Sequence, residues 1–196
     1  MSMIGNQVLD KIVFDQNVID AAEVLNKLRE GIIHALGKAG ASGEQKDGMD
    51  MALCAFHKDK GVVNLQYAGA YNPLYIIRKN SANTNGLEEI KADRQPVGYY
   101  DGKEEHPFTN HNIQLQKGDV IYIFSDGYAD QLGGDRCKKF GYNRFRQLLT
   151  DISDKNMEEQ KQILDKTIEA WKDHIDPYDD KPLEQMDDIL VMGMRF

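Results

Sequence analysis

Cysteine, proline and tryptophan are all scarce in these 196 residues, with 2 Cys, 5 Pro and 1 Trp, and positive charge is outnumbered by negative. Cys54 and Cys137 lie far apart and belong to no CxxC pair or Cys/His cluster, so neither a disulfide framework nor a zinc site is implied. Cys54 sits in the apolar run Met51-Ala52-Leu53-Cys54-Ala55-Phe56, which predicts a small buried thiol. Such cysteine usage fits a reducing cytoplasm. No segment reaches the roughly 18 apolar residues of a membrane span. The N-terminus also lacks a charged-then-apolar signal pattern, so direct membrane contact is not expected. Lys and Arg number 24 against 32 Asp and Glu, a formal charge of −8. With no basic stretch to track a phosphate backbone, nucleic acid is excluded as a partner. The acidic surplus by itself favours a solvated surface over carboxylates gathered around hard cations, and the motifs must decide between them.

What remains is the composition of an ordinary globular protein, 41% hydrophobic and 29% charged, in a length that suits one well-buried domain. The first thirteen residues place apolar side chains at 1, 4, 8 and 12, the stripe of an amphipathic helix. Asp20-Ala21-Ala22-Glu23 then resembles a capping box. Val24, Leu28, Ile32 and Leu36 continue the helix that it opens, and Gly37 and Gly40 are expected to end it. From 49 onward the period becomes that of strands, at 50–56, 62–68, 74–78, 87–91, 112–115 and 120–124. The short turns Lys58-Asp59-Lys60-Gly61 and Gln116-Lys117-Gly118-Asp119 predict antiparallel hairpins. Helical periodicity returns at 142–152 and 157–175, where Ile163, Leu164, Thr167, Ile168 and Trp171 share a face. A Pro- and Asp-rich loop at 176–182 precedes what reads as a buried last strand. Helices at both ends of an antiparallel middle predict an α+β fold with helices packed on sheet faces.

Two places carry chemistry. Val120-Ile121-Tyr122-Ile123-Phe124 is an unbroken apolar run, read as a strand buried on both faces. Ser125-Asp126-Gly127 at its end sets a carboxylate where the backbone turns sharply, although Asp-Gly is also a common turn. Downstream, Asp187-Asp188 abuts the apolar run that opens with Ile189. Carboxylates at the ends of neighbouring buried strands converge, and convergence of like charge is costly without a cation. Oxygen ligands without His or Cys suit Mg²⁺ or Mn²⁺ rather than zinc. The alternative at 187–188 is an exposed acidic turn. His34, His57, His106, His111 and His174 show no ligand spacing and read as surface or packing residues. Asp130 suits a helix cap or a place beside the metal ligands, and Asp47 and Asp50 suit turn and strand-edge duty.

Taken together these segments resemble the SpoIIE-like PPM phosphatases, a family of metal-dependent serine/threonine protein phosphatases. Phe124-Ser125-Asp126-Gly127-Tyr128-Ala129-Asp130 is similar to the family's SDG metal motif, and Asp187-Asp188-Ile189 to its terminal DD(M/I) motif. Asp47-Gly48-Met49-Asp50 resembles its DDMD-type strand. Ala68-Gly69-Ala70-Tyr71-Asn72-Pro73 resembles its AGHNP-type hairpin, with Tyr71 where the family often has His. Gln95-Pro96-Val97-Gly98 resembles its PLG-type loop. The five motifs stand in the family's order and span the chain.

The resemblance implies a sandwich of antiparallel sheets flanked by helices, with two Mn²⁺ or Mg²⁺ ions bridged by aspartates. It implies catalytic and metal roles for Asp126 and Asp187, with Gly127 and Asp188 in the same metal set. Water held between the metals would attack the phosphorus, so no side-chain nucleophile is required. The implied substrate is a phosphorylated regulatory protein, and an upstream sensor domain in the parent protein is left open. The family's DGHG-type motif, which carries another bridging aspartate, has no counterpart in the sequence. The expectation is therefore a single domain over 1–196 that lacks the first strands and half of the metal site, with sheet edge left uncovered. A catalytically incomplete fragment or binding module of the same fold is the competing reading.

Overall fold

The computed structural model describes residues 2–39, 48–79, 86–100, 105–173 and 183–196. Gly40, Asp47, His174 and the 176–182 loop, all singled out above, lie outside the described residues. The chain divides into two compact units, Met1–Leu74 with Ile90–Gln116, and Tyr75–Glu89 with Lys117–Phe196.

In the first unit α1 (Ser2–Asp10) runs into a π-helical turn at Lys11–Asp15, followed by α2 (Ala21–Ala39). The predicted cap is present: Asp20 Oδ1 accepts the Glu23 N–H at 2.9 Å. Val24, Leu28 and Ile32 are buried with Leu25 on the inner face of α2, at about 1.5–3 kcal/mol for each such side chain. Gly37 does not end the helix but lies inside it. Glycine inside a helix costs only about 1 kcal/mol, which this inner-face packing outweighs. A small pair, β1 (Gly48–Met49) with β6 (Val97–Gly98), accompanies a three-stranded sheet of order β2-β3-β7, formed by Met51–Asp59, Val62–Ala70 and His111–Leu115. Lys60 and Gly61 both adopt positive φ (46° and 85°), so β2 and β3 close through a two-residue hairpin.

In the second unit β4 (Leu74–Ile77), β5 (Leu87–Ile90), β8 (Val120–Phe124) and β11 (Val191–Arg195) form a sheet of order β11-β8-β4-β5. The 116–119 turn is not a hairpin, because β7 pairs with β3 whereas β8 pairs with β4 and β11. Buried Asp119 explains the switch, since its carboxylate meets Arg78 Nη1 at 2.8 Å and accepts the Lys79 N–H at 3.2 Å. These bonds tie the start of β8 to the end of β4. Between β8 and β11 come α3 (Gly127–Asp130), the pair β9 (Leu132–Gly133) and β10 (Lys138–Lys139), α4 (Tyr142–Asp151) and α5 (Met157–Lys172). Asn156 and Glu159 cap α5 reciprocally. The last strand is not buried as expected. It forms the edge of its sheet, where Met192 is 49% and Met194 41% exposed.

The fold is thus α+β, with antiparallel sheets and helices as predicted. Among the described residues no helix is long and apolar enough to cross a membrane. Cys54 is half-buried, and burial pushes its thiol up to about 12. Phe145 is fully buried at the centre of the second unit, with ring centroids 4.7 Å from Tyr128 and 5.0 Å from Phe124. Phe145→Ala is expected to destabilise the fold by about 3–5 kcal/mol. Urea denaturation checks this, with the midpoint lowered well beyond the effect of an exposed-site control such as Lys166→Ala.

Candidate metal centre

β8 delivers Ser125 and Asp126 to the sheet end, where the chain turns at once into α3. Ser125 fastens this end to the segment before β11 by three hydrogen bonds. Its N–H donates to the Leu190 carbonyl at 3.0 Å, its hydroxyl donates to the Asp188 carbonyl at 2.7 Å, and it accepts the Leu190 N–H at 2.9 Å. Gly127 completes the approach. A Cβ there would lie 2.4 Å from the Asp188 carbonyl oxygen and 3.4 Å from that of Asp187, so only glycine lets the two backbones meet. The structure therefore brings the Asp126-Gly127 turn against the Asp187-Asp188 backbone, two segments about sixty positions apart in sequence.

The carboxylates at this junction are not used up by the scaffold. Asp126 precedes α3 without a side-chain cap bond, and its carbonyl accepts the Asp130 N–H at 2.9 Å. Asp187 and Asp188 are exposed, with Asp187 Oδ1 accepting the Asp188 N–H at 2.7 Å. The Gly127 carbonyl accepts the Gln131 N–H at 3.0 Å. Asp130 is engaged elsewhere, paired with Lys139 at 2.7 Å.

Two contributions were not assigned from the sequence. Ser125 is one: a serine before Asp-Gly at a strand end was available as a clue, but only the fold shows what its hydroxyl reaches. Gln131 is the other. It is buried, donates to the Glu184 carbonyl at 3.0 Å and accepts the Met186 N–H at 3.3 Å, holding the approach to Asp187.

The remaining motifs gather in the first unit. Gly48 and Met49 pair with Gly98 and Val97, which joins the DDMD-type and PLG-type segments. Met51 lies opposite Ala70 in the β2–β3 register, so Asp50 and Tyr71 extend from adjacent strand ends. Tyr71 adopts the left-handed conformation (φ 59°) and is exposed. Its phenol is pushed up by local desolvation and by the neighbouring Tyr100 and Asp50. Tyr67 Oη donates to the Asn72 carbonyl at 2.7 Å and Tyr71 N–H to the Asp93 carbonyl at 2.9 Å, which hold that bend. His106 and His111 serve packing. The His106 carbonyl accepts from Arg29 and Gln95, and the His111 ring lies 5.8 Å from Tyr67.

Among the described residues no three or more His, Cys, Asp or Glu side chains are gathered closely enough to cage a metal ion. What is present is an oxygen-only donor set in two aspartate-bearing segments. That set fits a hard cation that keeps most of its water, as Mg²⁺ does on one or two carboxylates.

The fold has known counterparts. The SiaA-PP2C domain of Pseudomonas aeruginosa has a TM-score of 0.74 at 23% identity, matching 100% of this chain and 68% of that one. The phosphatase domain of the cell fate determinant SpoIIE from Bacillus subtilis has a TM-score of 0.51 at 12% identity, matching 97% and 72%. The PPM Ser-Thr phosphatase MsPP from Mycobacterium smegmatis has a TM-score of 0.53 at 12% identity, matching 87% and 75%. The fold is therefore that of the PP2C/PPM phosphatases. The chain belongs to the stage II sporulation protein E (SpoIIE) family, whose sequence model matches residues 3–196, and is thereby a PP2C-type phosphatase domain. No curated protein sequence is significantly similar to it.

Gly127→Ala is expected to force the 187–188 segment away and to cost about 1–3 kcal/mol, as overpacking does. Hydrogen exchange checks this locally, with the Leu190 amide losing protection before the core of β8.

Proposed function

We propose that the chain is a Mn²⁺- or Mg²⁺-dependent phosphatase acting on phosphoserine or phosphothreonine of a regulatory protein in the cytoplasm, as one domain over 1–196. The observation that carries the reading is the contact of Gly127 with the Asp187-Asp188 backbone, which sets Asp126 beside the second acidic segment. Asp126 and Asp187 are the residues that would hold a cation, with the Gly127 carbonyl and Asp188 in the same set. A divalent cation bound there supplies Lewis-acid stabilisation of phosphoryl charge and a more acidic water.

The chain's own residues provide position and charge. Ser125 fixes the distance between the two acidic segments through its three hydrogen bonds. α3 fixes the backbone of Asp126 within one turn of the strand end. The Asp188 N–H orients the Asp187 carboxylate by donating to Oδ1. Substrate phosphate adds negative charge to an already acidic site, so binding without a cation is electrostatically opposed. The regulatory-protein substrate rests on the family alone.

A binding module that keeps the fold without the chemistry is favoured by one observation, the lack of a three-ligand cage among the described residues. The two readings separate in one experiment, with turnover of p-nitrophenyl phosphate and a phosphoserine peptide measured with and without Mn²⁺, and Mn²⁺ affinity measured by calorimetry. The phosphatase reading expects Mn²⁺-dependent turnover that Asp126→Asn abolishes while the metal-free melting temperature holds, since a ligand charge and no core volume is lost. Turnover unchanged in Asp126→Asn contradicts the role given to Asp126. Mn²⁺ binding without turnover in the native chain supports the binding module.

A further inference from the structure

One cavity of the second unit runs against the charge of the chain. It measures about 260 Å³ and is lined by Gly133, Asp135, Arg136, Lys138, Arg144 and Trp171, three cations and one acid around an indole. The whole chain carries −8, yet positions 131–150 hold five Lys or Arg and a single acid, Asp135. Of those five cations, Lys139 is paired with Asp130 and Arg146 with Glu89, whereas among the described residues Arg136 and Lys138 enter no ion pair. A local excess of one sign attracts groups of the other. The backbone and one of the cations are also held in place. Arg144 lies 5.0 Å from the centre of the Trp171 ring and donates to the Phe140 carbonyl at 2.9 Å, so its guanidinium is fixed before anything binds. No acid in the first turn of α4 offsets it. Lys138 stands opposite Gly133 in the β9–β10 pair. A Cβ at 133 would lie 2.1 Å from the Trp171 carbonyl oxygen, so only glycine lets this strand reach the end of α5. The Gly134 N–H donates to that same carbonyl at 3.0 Å, and Cys137, strained at φ 46°, donates its N–H to the Gly134 carbonyl at 3.0 Å. The loop under Arg136 is thereby closed on itself and tied to Trp171, which leaves less freedom to lose on binding.

The cavity also lies close to the candidate centre. Gly133 follows Asp126 by seven positions, which keeps the two within about 25 Å even if the chain between them were fully extended. The Asp130–Lys139 pair joins the intervening α3 turn to β10. We propose that this cavity binds aspartate or glutamate side chains of the protein substrate, within about seven positions of its phosphorylated residue. Arg136 and Arg144 suit carboxylates through their forked donors, and Lys138 adds a point charge. The attraction offsets the repulsion that an anionic substrate meets at the acidic centre and orients the peptide across it. A nucleic acid suits the cavity less, because beyond it a long polyanion would run over a chain of net negative charge. The proposal rests on the phosphatase reading only where it calls the bound protein a substrate.

Direct binding tests it first, with the fluorescence of Trp171, the chain's one tryptophan, as the readout. Unphosphorylated peptides bearing three Glu, three Ala or three Lys are titrated into the whole chain without metal. The Glu peptide is expected to shift the emission saturably and to bind at least roughly tenfold more tightly than the Ala peptide, an advantage that shrinks as salt is added. R136E/K138E is expected to lose that advantage and to prefer the Lys peptide, a reversal that unfolding would not produce. Should this variant melt early, R136Q and K138Q replace it, each expected to weaken the Glu peptide severalfold. With Mn²⁺ present, a phosphoserine peptide with Glu within seven positions is expected to show a KM at least roughly tenfold below that of its Ala counterpart, in the native chain and not in R136E/K138E. Glu-peptide binding by a chain that turns nothing over upholds the cavity's role and fails the phosphatase reading alone. Equal binding of the Glu and Ala peptides, a Glu preference unchanged in R136E/K138E, equal KM for the two phosphopeptides, or tighter binding of an oligothymidylate of the same charge overturns the proposal.

Discussion

Everything at the candidate centre depends on two stretches of backbone meeting closer than any side chain would permit. The Asp188 carbonyl lies where a Cβ of residue 127 would have to be, and it accepts the Ser125 hydroxyl at 2.7 Å. That contact converts a turn at the end of β8 and a loop before β11 into one acidic junction. β8 can bear this because it is buried almost throughout and is fixed at its other end by Asp119 and Arg78. Rigid strands thereby hold two aspartate-bearing segments against each other through their backbones.

The same economy appears in the first unit, where backbone pairing rather than side-chain bonding assembles the motifs. Gly48 and Gly98 face each other in a two-residue ladder, and the strained Tyr71 is held by its own N–H and by the Tyr67 hydroxyl bound to the next residue's carbonyl. A bulky residue in the left-handed region persists only where its surroundings over-determine it. Two units of one chain thus each carry part of the motif series that marks a PP2C-type phosphatase.

Much of this was legible in the sequence because it rests on periodicity and local chemistry. The capping aspartate at 20, the Lys60-Gly61 hairpin, the buried run at 120–124 and both late helices follow from patterns that neighbouring residues carry. The misses are long-range. The 116–119 turn reads as a hairpin until buried Asp119 is seen bound to Arg78, and the last strand reads as buried because apolar composition does not reveal that it lies at a sheet edge. Gly37 misleads for the opposite reason, a local helix breaker overruled by packing on the far face of α2. At the centre itself Asp126 and Asp187 announce themselves, whereas Ser125 and Gln131 do not, since their partners lie some fifty to sixty positions away.

The central claim is that the Asp126-Gly127 turn and the Asp187-Asp188 segment form one cation-binding junction. Paramagnetic broadening in an ¹⁵N-labelled chain titrated with Mn²⁺ reads this directly, without recourse to turnover. The account predicts that the amides of Asp126, Gly127, Asp187 and Asp188 broaden first and together, at substoichiometric metal. Broadening that begins instead at acidic surface positions such as Asp151 or Glu158, or that reaches the two segments at different metal concentrations, would contradict it.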